Sequence, residues 1–236
     1  MDKKYEIIKE ETKTVYWHKL HRIRALRDFG KVKKGDIGGW VESYRNLDQY
    51  CDAWVADDAC VFDDALVEGS ALVYGNAMVF GDARVYGHAQ IYDEAHVCDS
   101  AHVCGCAQIW CNVMVCNRAR VFDDAKVFGC SLISGDTLVY GNSCVYGCAR
   151  VFGYARVADY SHVCDNAQVS GDVRISSDSQ IYGNAVVRGR AHVFGKATVY
   201  GDAIISDDVE VSDNAEVCGN ARLFGNAEVN GNTKVF

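Results

Sequence analysis

Every sixth residue from Val55 to Val235 is Val, Ile or Leu, at all 31 positions, with no residue inserted or lost along the run. Two places before each stands a small residue, Ala at 22 of the 31 positions from Ala53 to Thr233 and Ser, Thr or Val at the rest. The stretch VYGNAMVFGDARVYGHAQIY, Val73–Tyr92, shows the unit: small, x, aliphatic, y, and two turn residues. Few folds accept so strict a period. A helix is excluded, because Gly recurring in it would cost about 1 kcal/mol each and an apolar period of six fits no 3.6-residue turn. Side chains of a strand alternate between faces, so the small and aliphatic slots point the same way. Each hexad then reads as a strand of about four residues and a bend of two. The bends are mostly Gly-Asn, Gly-Asp, Asp-Asp or Asp-Asn, residues that tolerate a left-handed backbone.

Three hexads close a triangular coil, which predicts an all-β, single-stranded parallel β-helix with 18 residues per coil. Residue i stacks on i+18, and about ten coils give a rod of roughly 50 Å at the spacing between parallel strands. Each coil buries its inward slots only against its neighbours. Residues 53–236 are read as this β-helix and residues 1–52 as a β-strand cap over its first apolar edge. Within the cap, KYEIIKE and TVYWHKLHRIRAL read as strands around a turn at ETK. Gly35, Gly38 and Gly39 read as tight turns. The chain has no Pro, as befits an array in which Pro would remove ladder donors.

Charge and leader signals bound the function. Net charge is −8, with 12 Lys+Arg against 8 Asp+Glu in residues 1–50 (+4) and 12 against 24 in the remainder (−12). An acidic body argues against direct binding to a phosphate backbone, although it could mimic nucleic acid towards a basic protein. No apolar run is long enough to span a membrane, and the charged start MDKKYEIIKEETK lacks a signal peptide's apolar stretch. A cytoplasmic location is the resulting expectation, with the 12 Cys mostly as free thiols.

The hexads resemble the hexapeptide-repeat proteins, and that resemblance implies a left-handed β-helix. Bactofilin-like filaments, triangular but right-handed, are the rival resemblance. The segment IRALRDFGKVKKGDIGGWVES followed by CDAWVADDA resembles, more specifically, the opening of the YdcK-like family, bacterial and phage-borne. Members of that family often carry an acyltransferase label, and fold alone does not establish such a reaction. The resemblance implies a phage or prophage role acting on a host factor. As an alternative it implies acetyl-CoA-dependent acyl transfer. Hexapeptide acyltransferases usually extrude a loop from a coil and place a catalytic His near a subunit boundary. Here no loop interrupts the hexads. His88, His96, His102, His162 and His192 lie within them, and no sequence signal gives any of them a partner.

Sorting residues by 18 brings out candidate sites. One face stacks Tyr74, Tyr92, Trp110, Phe128, Tyr146, Tyr182, Tyr200 and Phe236, broken by Cys164 and Cys218. Such a column serves either as an internal ladder or as an interface. Another face carries a basic column in its x slot, Arg84, His102, Arg120, Arg156, Arg174 and His192, expected to pair with Asp-rich corners such as Asp124 and Asp178. The Cys/His-rich stretch HVCDSAHVCGCAQIWCNVMVC tempts a zinc reading, but Cys98 and Cys104 belong to different faces and cannot converge on one ion. Only pairs 18 apart stack, such as Cys98 with Cys116 and Cys130 with Cys148. The expected function is a non-enzymatic scaffold, without metal or cofactor. It is expected to be homo-oligomeric through the aromatic face or the uncapped C-terminal end, and to bind a protein or small ligand through flat faces.

Overall fold

A computed structural model describes residues 3–236, and among these every regular element is a β-strand. No helix is long and apolar enough to cross a membrane among the described residues. The coils are parallel, about 18 residues each, and make a β-solenoid of about 11 turns. The paired strands are only two residues long, the x and aliphatic slots, shorter than the four that the hexad suggests. The chain divides into two compact units, Met1–Asn117 and Arg118–Phe236.

In the first unit β1 (Tyr5–Val15) and β2 (His18–Ala25) form an antiparallel hairpin, and β3 (Ile37–Val41) pairs with β2. β3 then runs parallel to Cys60–Val61, with Trp40 opposite Cys60 and Val41 opposite Val61, so stacking reaches back into the cap. Successive strands follow in a register of 18 residues on each face: Trp54 on Leu72, Cys60 on Met78, Leu66 on Arg84. In the second unit the same register holds, as in Lys126 on Cys144, Leu132 on Arg150 and Arg156 on Arg174.

The core follows from the two inward slots. Val55, Ala77, Ile91, Val145, Ala167 and Ile181, among many others, have no solvent exposure. Each fully buried Val or Ile contributes about 1.5–3 kcal/mol. Where the small slot is polar, the hydroxyl is satisfied locally. Ser131 donates to the Phe128 carbonyl (2.8 Å), Thr137 to Ser134 (2.6 Å), Ser161 to Ala158 (2.6 Å) and Ser179 to Ser176 (2.8 Å). These substitutions therefore bury no unpaired polar group.

Two expectations for the cap are corrected. The hairpin does not turn at ETK: β1 continues through it with a register shift between Ile8 and Thr12, and the turn falls at Tyr16–Trp17. Tyr16 is left-handed there (φ 51°), and its ring packs 6.3 Å from both Phe62 and Phe80, contacts that offset the conformational cost. Gly38 and Gly39 are not turn residues but lie in β3. A Cβ on Gly38 would stand 2.5 Å from Trp54 and 2.6 Å from Ile23, so close packing of the cap on the coil demands glycine. The cap is also pinned by Lys4, whose buried ammonium donates to the Cys51 (2.9 Å) and Ala53 (2.8 Å) carbonyls. Burial pushes the Lys4 pKa down to about 8.

The corners show why Asp and Gly dominate the first bend slot. That residue has positive φ in coil after coil. Asp57, Asp63, Asp93, Asp99, Asp123, Asp159, Asp165, Asp207 and Asp213 all occupy it, and each accepts, through Oδ2, the backbone N–H of the residue 18 further on, at 2.9–3.2 Å. The three corner residues that are neither Gly nor Asp here, Cys111, Asn117 and Ser177, are all held this way, by Asp93, Asp99 and Asp159. Asp165→Ala removes the acceptor and leaves an Ala in the left-handed region. It is expected to cost about 1–3 kcal/mol. Asp165→Gly, which removes the acceptor but not the conformational freedom, is expected to cost less. Urea unfolding of the two variants checks this, and a Gly variant less stable than the Ala variant would contradict it.

Candidate functional site

The outward slots decide what the surface can bind. In the first unit the rings of Tyr74 and Tyr92 stack at 4.8 Å with planes 4° apart, and Tyr92 stacks on Trp110 at 5.7 Å. In the second unit Phe128 stacks on Tyr146 at 4.9 Å and Tyr182 on Tyr200 at 4.8 Å. Ring faces are thus used within each unit, and the residues Tyr74 to Tyr200 are half-buried, while Phe236 is 76% exposed. Where Cys interrupts the column the phenol turns to it. Hydrogen bonding to Cys164, with burial, pushes the Tyr146 pKa up to about 12. Tyr200 is pushed up to about 12 chiefly by its hydrogen bond with Cys218. What this face offers outward is ring edges and hydroxyls. Similar stacks join Phe62 to Phe80 (5.1 Å) and Phe122 to Tyr140 (5.0 Å) on the other faces.

The repeat histidines also face aromatic rings. His96 stands edge-on to Phe80 (6.3 Å), His102 to Tyr86 (6.4 Å) and His162 to Tyr146 (6.2 Å), while His192 stacks on Phe194 (4.4 Å). Burial lowers the pKa of His96 and His192, against the opposing pull of Glu94 and Glu210. His88 is an exposed corner residue.

The basic column is placed in the x slot of one face. In the first unit Arg84 stacks on His102. In the second, Arg120 lies 5.8 Å from the Phe122 ring, and Arg156 stacks on Arg174 and Arg174 on His192. The expected pairing with corner carboxylates is not found at Arg156 or Arg174. The corner ion pairs are instead Arg118 with Asp136 and Arg190 with Asp208, both at 2.7 Å.

All twelve cysteines are free. Cys98 and Cys116 lie side by side on adjacent coils, beyond the paired strands His96–Val97 and Met114–Val115. Their mutual hydrogen bond, with burial, pushes the Cys98 thiol far up, and it lowers that of Cys116.

The cap holds a cluster that sorting the hexads could not reveal. His18 Nδ1 is 3.1 Å from Glu42 Oε1, and its Nε2 is 3.1 Å from Asp63 Oδ1. The second oxygens are taken too: Glu42 Oε2 accepts the Asp63 N–H (2.8 Å) and Asp63 Oδ2 the Gly81 N–H (3.1 Å). The three donors lie within 4.8 Å of one another, beside a cavity of about 390 Å³. A single ion could use only one of the two ring nitrogens, whereas the network as it stands ties β2 to the first coils on both sides of the ring. Its residues lie far apart in sequence and outside the 18-residue register.

A second group escaped the column search because it sits at corners. Of the 30 second bend slots from Asp58 to Asn232, only Tyr154 and Tyr160 are aromatic. They are 62% and 60% exposed, with Phe152, Arg150 and Arg156 exposed on the same coil. The stretch RVFGYARVADY thus concentrates Tyr, Phe and Arg on one turn, and the sequence signal was an aromatic where every other coil places a small, polar or charged residue.

Stacked two-residue strands with a register of 18 define the chain as a β-solenoid repeat protein. The family described as YdcK β-solenoid repeat matches residues 71–87, and with the stacked coils the chain fits a YdcK-like β-helix family. No curated protein matches the chain.

The two kinds of aromatic should separate by stability. Tyr182→Ser breaks a ring stack in a half-buried column and is expected to cost about 1–3 kcal/mol. Tyr154→Ser, at an exposed corner, should stay within about 0.5 kcal/mol of the parent. Urea midpoints measure both, and the reverse order would refute the division into ladder and free aromatics.

Proposed function

We propose that the chain is a non-enzymatic binding scaffold that presents the coil Arg150–Tyr160 to a protein partner. The observation that carries this reading is the exposed group Phe152, Tyr154 and Tyr160 beside Arg150 and Arg156. Tyr and Arg are the residues most enriched at binding hot spots, because they combine large rigid area with polar reach. Arg156 and Arg174 lie side by side with no carboxylate within 4.0 Å, so a partner supplying one would relieve like-charge repulsion as well as gain contacts. The stacked column from Tyr74 to Tyr200 supports this surface by stiffening the coils, and its ring edges extend the apolar area. Acetyl-CoA-dependent transfer is the competing reading.

The test compares proteins captured by the wild type and by Tyr154→Ser/Tyr160→Ser at matched thermal stability. A partner identified by mass spectrometry is expected to be depleted at least tenfold on the variant, as loss of about 1.4 kcal/mol or more implies. Equal capture by both, or acetyl-CoA binding in the micromolar range by calorimetry, would overturn the reading.

A further inference from the structure

The face that carries Arg156 has an internal symmetry in its second unit. Its x slots stack in strict register as Arg156, Arg174, His192, Glu210, Glu228. The column is basic at one end, acidic at the other, and centred on His192. Arg156, Arg174, Glu210 and Glu228 are all exposed, and among the described residues none makes an ion pair within the chain. The y slots beside them read Ala158, Ser176, Phe194, Ser212, Asn230. One large ring stands at the centre, with small or polar residues on both sides.

We propose that two copies of this chain pair through this face, with the coils of one copy running antiparallel to those of its partner, about a two-fold axis along the strand His192–Val193. The inference rests on the reading of the chain as a binding scaffold and names a second copy as the occupant of this face. A two-fold interface needs a self-complementary patch. Rotation about that axis sets Arg156 against Glu228 of the partner subunit and Arg174 against the partner's Glu210, and the reciprocal contacts double the count to four ion pairs. Phe194 meets its own copy at the axis, where it already stacks on His192 at 4.4 Å. Ala158 and Ser212 are nearly buried and Ser176 is small, so nothing rises beside the central ring to hold two flat faces apart. A parallel arrangement would instead place Arg on Arg and Glu on Glu, which like-charge repulsion disfavours.

Five coils at about 4.8 Å give a patch roughly 20 Å tall. With a width near 15 Å it buries about 300–400 Å² per copy, well under the roughly 800 Å² of a standard interface. The expected dimer is therefore weak, in the micromolar range, and sensitive to salt.

Sedimentation equilibrium from about 5 to 500 μM at low salt tests it. The wild type should move from monomer to dimer across that range. Arg156→Glu/Arg174→Glu makes the column acidic throughout, and Glu210→Arg/Glu228→Arg makes it basic throughout. Each variant alone should weaken self-association at least tenfold, with circular dichroism melting showing that it folds. The equimolar mixture should associate at least as tightly as the wild type, because each end of one column then faces its opposite on the other. A wild type that stays monomeric to 500 μM, or a mixture no tighter than its components, overturns the dimer. If a monomeric wild type still captures a protein through Tyr154 and Tyr160, the dimer fails while the scaffold reading stands.

Discussion

Backbone N–H groups at the outward positions donate to carbonyls one coil further on, as in Leu72 to Ala89 (2.9 Å), Tyr74 to Ile91 (3.0 Å), Gln180 to Ala197 (3.0 Å) and Tyr182 to Val199 (3.0 Å). The rest of the structure depends on this ladder. It fixes the register at 18 residues, and a register of 18 turns a period of six into three faces with separate chemistry. It also forbids drift. A shift of one residue would exchange inward and outward side chains in every coil beyond it. The uninterrupted hexad run from Val55 to Val235 is the sequence-level mark of that constraint.

The same ladder accounts for the acidic body. Turning three corners per coil requires left-handed residues, and Gly alone would supply them at a cost in chain entropy. Asp at the corner tolerates the conformation and returns a hydrogen bond to the next coil, as Asp57 does to Gly75 (3.1 Å) and Asp213 to Gly231 (2.9 Å). The carboxylates that set the charge of the repeats therefore have structural work, and the acidity does not by itself call for a basic partner. Against that background the exposed cations Arg156 and Arg174 stand out, since the local corners do not neutralise them.

Periodic features were legible in the sequence and non-periodic ones were not. The core slots, the stacking of Tyr74 on Tyr92 and the adjacency of Arg156 and Arg174 follow from counting by six and by 18. Counting could not show that the rings of the aromatic column would be spent on one another, because that depends on rotamers settling at 4.8 Å. The cap defied the same method. Its turn at Tyr16–Trp17 rests on packing against Phe62 and Phe80, and Gly38 is dictated by the approach of Trp54 and Ile23, all distant in sequence. The network of His18, Glu42 and Asp63 is a product of that packing too. Tyr154 and Tyr160 were visible as exceptions to the corner rule, but only a search for exceptions finds them.

A scaffold of this kind places recognition on rigid strands and corners, so specificity comes from which slots break the repeat. The central claim beneath it is the register, and the native cysteines can report on it directly. Treatment of the folded protein with a short thiol-bridging reagent such as dibromobimane, followed by peptide mapping, should link Cys98 to Cys116 and Cys130 to Cys148, the pairs stacked one coil apart. Links from Cys104 to Cys98 or to Cys116, which point from different faces, would contradict the account.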